Sequence, residues 1–201
     1  MKLYFSPGSC GLASQIALRE AGQPFQLVAV DFKTKTTVEG DYYAVTPKGF
    51  VPALRLDDGD VITEGAVILQ WIADHNPGAG LLPAFGSRAR YDALAWLNFI
   101  ATDLHKNYAV MFSPVLDAAS KARFADANLT SKYAYIDAHL ETRDYVLGEA
   151  FCVADGYLYN VLSWSPRVGL DLSGYAAIQA FMARMEQRPS VQASLQGEGL
   201  K

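Results

Sequence analysis

Cysteine is scarce: the 201 residues hold two, Cys10 and Cys152. A pair so far apart in sequence is no disulfide framework. Histidine is scarce too, and His75, His105 and His139 show no ligand spacing with either cysteine, so no metal site is expected. No apolar run approaches the roughly 18 residues of a membrane span. Basic charge shows no excess: 17 Lys and Arg stand against 21 Asp and Glu, and net charge is −4. That balance gives no footing for a nucleic-acid partner. The segment Met1–Pro7 carries one positive charge and an apolar stretch too short for a signal peptide, so a cytoplasmic protein is expected. What is abundant is apolar content, 51% of residues, enough to bury a core in one large or two small domains.

Residues 2–5 read as a strand, Ser6-Pro7-Gly8-Ser9 as a turn, and 10–21 as a helix with Leu12, Ala13, Ile16, Ala17 and Leu18 at helical spacing. Residues 26–30 give a second strand, which makes a right-handed βαβ unit with a parallel pair. Residues 31–48 are polar and read as loop with a short irregular helix. The second half of Gly49–Leu56 is a strand, Asp58-Gly59 turns it, residues 60–63 return, and 65–75 form a helix. Gly/Pro-rich residues 76–87 read as a linker, after which strand signals vanish. Helical patterns follow at 88–112, 120–141, 153–165 and 175–187, with Pro189 beyond the last. The domains expected are 1–77, a linker at 78–87, and an all-helical 88–201.

Cys10 falls at the start of the first helix, where open N–H groups and the dipole favour a thiolate. A small apolar core residue is the equal alternative. Pro52 is either an ordinary strand-opening proline or a cis-proline. Glu64 and Gly65 open a helix, where an acidic residue is common and an anion can also be held. Asn98, Thr102 and His105, three to four apart, put a polar face on an apolar helix, with Asp103 and Lys106 beside them. That face is solvated, or it is a cleft or interface. Cys152 occupies a capping position three residues before Asp155, where sulfur is a poor cap.

In this order the stretches Leu3–Leu18, Thr46–Leu54, Thr63–Leu69, Trp96–Lys106 and Phe151–Asp155 resemble the glutathione transferase superfamily along essentially the whole chain. The Pro-Gly-Ser-Cys start and the Asp-Leu-His-Lys run resemble its bacterial beta class. The resemblance implies an α/β thioredoxin-like N-terminal domain that binds glutathione, joined to an all-α C-terminal domain. It implies that Val51 pairs with the cysteinyl backbone of glutathione, with Pro52 cis. Glu64 and the Gly65 amide then hold the γ-glutamyl end and Lys35 the glycyl carboxylate, a role for which Lys33 competes. Cys10 lies against the glutathione sulfur, and His105 and Lys106 approach from the helical domain. Asn98 and Asp103 reach the neighbouring subunit's site in a homodimer. Two positions depart from the superfamily, where Gly65 and Gly11 are commonly serine.

The activity implied is conjugation of glutathione, as co-substrate, to a small apolar or aromatic electrophile, as in detoxification. Thiolate is the nucleophile, so the site must stabilise that anion with donors, Cys10 and His105 among them. The electrophile is expected in a cleft between domains, lined partly by Tyr108, Met111, Phe112 and Trp164. Thiol–disulfide reduction through Cys10 is one alternative; ligand binding without turnover is the other.

Overall fold

In the computed structural model, which describes residues 1–200, Lys2–Phe5 forms β1, whose Leu3, Tyr4 and Phe5 are all buried. Burial on both faces suits a central strand, and β1 is one: the sheet order is β2-β1-β5-β6. A crossover through α1 (Gly11–Glu20) leads to β2 (Gln26–Ala29), which pairs with β1 in parallel. Two short strands follow, β3 (Thr36–Thr37) and β4 (Gly40–Asp41), then a 3-10 turn at Tyr42–Ala44, so the polar stretch 31–48 is a small hairpin plus a turn. Next, β5 (Ala53–Arg55) runs antiparallel to β1 and pairs with β6 (Val61–Thr63). The segment closes on α2 (Gly65–His75), whose Ile68, Leu69, Ile72 and Ala73 are buried.

The second unit is built of helices. Ser87 caps α3 (Arg88–Phe99) by accepting the Arg90 N–H. The expected single helix 88–112 then widens into a π-helical stretch, Ile100–His105, before α4 (Lys106–Met111). The expected helix 120–141 is two helices, α5 (Ala118–Asn128) and α6 (Thr130–Leu140), parted at Leu129. Every residue of α7 (Val153–Leu162) is buried, which makes it the axis of this unit, and α8 (Ala176–Glu186) adds Ile178, Phe181 and Met185 to the core.

One boundary differs from expectation. The first compact unit is Met1–Leu82 together with the stretch from Gln187 onward, and the second is Pro83–Glu186. Pro189 does not lie beyond the last helix but opens a further one, α9 (Pro189–Gly197), where its missing N–H costs nothing. This helix packs on α1 of the first unit: a Cβ on Gly197 would stand 3.3 Å from Arg19 Nη2 and 3.7 Å from Gln15 Oε1, both on α1. Arg188 pairs with Glu20 at 2.8 Å, and Ser190 donates to the same carboxylate. No helix among the described residues is long and apolar enough to cross a membrane.

Candidate active site

The turn that carries Cys10 is held by its own polar groups. The Ser9 N–H donates to Ser6 O at 3.0 Å, and the Gly11 N–H donates to Ser9 Oγ at 3.3 Å. Gly8 has φ +71°, a conformation that suits glycine. Gly11 is set by space: a Cβ there would stand 3.0 Å from Phe5 Cβ on β1. Gly65 is under no such pressure, since its Cβ would meet only Pro52 Cγ at 4.0 Å.

Cys10 takes the N-cap position of α1 but does not cap it. Its thiol donates instead to Val51 O at 3.3 Å. Part of the residue reaches solvent, yet burial pushes the thiol up to about 12, its own backbone N–H opposing, with the Glu198 and Glu64 carboxylates adding to the rise. Of the two readings that position alone leaves open, burial favours the enclosed, protonated thiol over the helix-stabilised thiolate. Burial of the sulfur outweighs the helix terminus, with the charges of Glu198 and Glu64 adding to it.

The Val51–Pro52 bond is cis. Tyr42, fully buried, supports this loop by donating its hydroxyl to Phe50 O at 2.8 Å. Lys35 reaches back over the Phe32 ring, 4.5 Å away, and donates to Gly49 O at 2.8 Å, whereas Lys33 stays exposed beside Asp31. Glu64 has φ +70° and accepts the Val67 and Ile68 N–H groups at its carbonyl, opening α2. Its side chain pairs with Lys48 at 2.6 Å. Cys10, Val51, Pro52, Glu64, Gly65 and Lys35 thus belong to one unit, the first two in direct contact.

Asn98, Thr102, Asp103, His105 and Lys106 belong to the second unit. Asn98, Thr102 and Lys106 are exposed. The Thr102 hydroxyl lies 2.8 Å from Asp103 Oδ2 and 3.0 Å from Asn98 O. His105 leaves the shared face predicted for it: its Nδ1 lies 2.7 Å from the Tyr157 hydroxyl, and its ring meets Trp164 edge-on at 5.0 Å. The π-helical stretch changes the angular step between residues, which separates it from Asn98 and Thr102. Burial, with Lys106 adding, lowers the imidazole from 6.5 to about 4, so it is neutral at pH 7. Of the expected cleft residues, Tyr108 and Met111 are core instead. The Tyr108 hydroxyl is used up on Ser165 at 2.5 Å and Tyr133 at 2.9 Å, and only Phe112, 42% exposed, presents a ring to solvent.

Glu198, Tyr42, Lys48 and Tyr157 were not singled out from the sequence. Glu198 meets Gly8 across 190 positions, and no local spacing carries that signal. Cavities of about 600 and 650 Å³ line Arg19, Phe25 and Ser190 in the first unit and Trp96, Tyr135 and His139 in the second, away from Cys10 and His105. Among the described residues no three His, Cys, Asp or Glu cluster to hold a metal ion.

Residues 9–75 match the family model described as glutathione S-transferase, N-terminal domain, and 107–189 match glutathione S-transferase, C-terminal domain. The chain is 46% identical to glutathione S-transferase GstA of Escherichia coli O157:H7, over 100% of both chains. Among solved structures, a sphingomonad glutathione S-transferase complexed with glutathione superposes with a TM-score of 0.95 at 44% identity, covering 100% of each chain. The bacterial beta class enzyme of Sphingomonas chungbukensis does so with 0.95 at 40%, again over 100% of each. The α/β unit with its cis-proline loop, the helical unit and these full-length likenesses agree: the chain belongs to the glutathione S-transferase family, in its bacterial beta class.

Proposed function

We propose that this transferase joins glutathione to a small apolar electrophile, with glutathione's own sulfur as nucleophile and Cys10 as a protonated donor beside it. The contact between the Cys10 thiol and Val51 O, in a setting that keeps the proton on sulfur, carries this reading. A fixed donor aimed at a developing or resident anion stabilises it without reorganisation. In the reaction with a chlorinated nitroarene, the glutathione thiol gives its proton to water, its sulfur forms a bond to the ring carbon, and chloride leaves with the bonding pair.

Val51 pairs with the cysteinyl backbone, and Glu64 and the Gly65 amide take the γ-glutamyl end. The pairing of Glu64 with Lys48 supports this, because a second cation can join an exposed carboxylate. Lys35 rather than Lys33 takes the glycyl carboxylate, since it is the one drawn to the Gly49–Val51 loop. His105 and Lys106 act from the helical unit, and the protein works as a cytoplasmic homodimer in which Asn98 and Asp103 reach the partner's site. Disulfide exchange by Cys10 needs a thiolate, and burial beside two carboxylates weighs against it.

The test sets Cys10→Ala and Cys10→Ser against a chlorinated nitroarene and a glutathione mixed disulfide. The serine, which still donates, should keep conjugation within about threefold, and the alanine should lose about tenfold or more in kcat. Equal activity in both, or no retention on glutathione resin, would sink the reading.

A further inference from the structure

Just past α7, the buried Trp164 is the hub of a run of rings in the second unit. It meets His105 edge-on at 5.0 Å, Tyr108 at 6.0 Å and Phe112 at 5.9 Å. Arg167 comes from the 3-10 turn Ser165–Val168 that follows, and its guanidinium carbon lies over the Phe112 ring, 5.3 Å from the centroid. The turn is fixed from beneath. The Ser165 hydroxyl donates to Leu162 O at 2.8 Å and lies 2.5 Å from the buried Tyr108 hydroxyl. The Arg167 N–H donates to Trp164 O at 3.0 Å. Phe112 and Arg167 are themselves exposed, so a ring and a cation reach solvent together from a rigid base.

Resting on the reading that His105 serves conjugation from this unit, we infer that Arg167 is a specificity-determining residue and that the preferred electrophile is an aromatic ring bearing a carboxylate. The ring packs against Phe112, and the planar guanidinium takes the carboxylate through two parallel N–H donors. A guanidinium is more weakly hydrated than an ammonium, so it exchanges water for a carboxylate readily. On the stretch that carries His105, the charged neighbours are Lys106, which is exposed, and Asp103, which is tied to Thr102. The chemistry is that of the conjugation above: the thiol proton goes to water, sulfur bonds the ring carbon, and chloride leaves with the bonding pair. The carboxylate is unchanged throughout, so Arg167 acts on which electrophile is held and not on the bond that forms.

The test pairs 4-chloro-3-nitrobenzoate with its neutral amide, 4-chloro-3-nitrobenzamide. Their intrinsic reactivities differ, but that difference cancels when the ratio of their kcat/KM values is compared between the parent and Arg167→Gln. The ratio should fall about threefold or more in Arg167→Gln, through the benzoate alone, with the benzamide within about twofold of the parent. Added salt should shrink the parent's ratio and leave the variant's unchanged, and Arg167→Lys, which restores the charge, should recover part of the preference. Binding is read separately with 3-nitrobenzoate and 3-nitrobenzamide, which have no leaving group, through the NMR shift of the Trp164 indole N–H, identified by its loss in Trp164→Phe. The benzoate should bind Arg167→Gln about threefold or more weaker than the parent, and the amide equally to both. An unchanged ratio, or an equal loss for both compounds, would show that Arg167 only packs on Phe112 and overturns the inference. A parent that conjugates neither chloroarene refutes the conjugation reading instead, and the two nitro compounds still decide the role of Arg167.

Discussion

At the scale of single residues, the two candidates for stabilising the glutathione sulfur are both neutral. Cys10 keeps its proton, and His105 is lowered to about 4 by burial, with Lys106 adding. Neither offers a charge at pH 7; each offers a hydrogen bond. If the Tyr157 O–H donates to Nδ1, the neutral His105 ring carries its proton on Nε2, which is then its one donor. The imidazole pKa also ties His105 to stability. Its folded value lies below the unfolded one near 6.5, so the neutral form is favoured by folding. The contribution is fully present above 6.5 and is lost as pH falls towards 4. By pH 5 the loss from this group amounts to about 2 kcal/mol. Replacing His105 by Asn should therefore flatten the drop in stability between pH 7 and pH 5, measured by urea melts at each pH. An NMR titration should show the ring uncharged until well below pH 6. A midpoint near 6.5 would mean the ring is solvated, and the flattening would vanish with it.

Elements were legible where local pattern and long-range packing agree. The β1–α1–β2 unit, the β5–β6 hairpin and α2 follow from apolar spacing and turn residues, since each buries the face its own period creates. The π-helical stretch was hidden because Ile100, Leu104 and Tyr108 keep a four-residue apolar spacing across it. The break at Leu129 has no Gly or Pro to announce it; an apolar residue with φ −114° does the parting. In α9 the same proline that stops one helix starts the next. The capping site of α7 was legible, and the structure supplies its energetics. Asp155, fully buried, accepts the Cys152 N–H and the Val146 N–H, both at 2.8 Å. Asp155→Ala strands both donors and should cost roughly 2–6 kcal/mol, at about 1–3 for each buried unpaired group. Cys152→Ser keeps the shape and supplies a better acceptor, so it should stabilise by about 0.5–1 kcal/mol. Thermal melts decide the pair. A serine variant that melts lower would show that the 3%-exposed Cys152 serves as packing rather than as a cap.

At the scale of the whole molecule, the chain's end returns to its beginning, and α9 and Glu198 belong with the unit that carries Cys10. The exposed groups of the second unit have a different destination in the homodimer proposed above. Asn98 and Thr102 are exposed, and Thr102 and Asn107 are tied to Asp103 by hydrogen bonds. If Asp103 completes the partner's site while Glu64 serves its own, each site takes one residue from each chain. That arrangement has a distinctive arithmetic. Glu64→Ala and Asp103→Ala homodimers should each bind glutathione weakly. When the two variants are unfolded together and refolded at equal amounts, about half the dimers are mixed, and each mixed dimer holds one site with both residues intact and one with neither. About a quarter of the parent's sites should then reappear, read as conjugation at low glutathione concentration. Were Asp103 to act within its own chain, every site in the mixture would lack one residue and no activity would return. A monomer mass by light scattering at micromolar protein would rule out the shared site altogether.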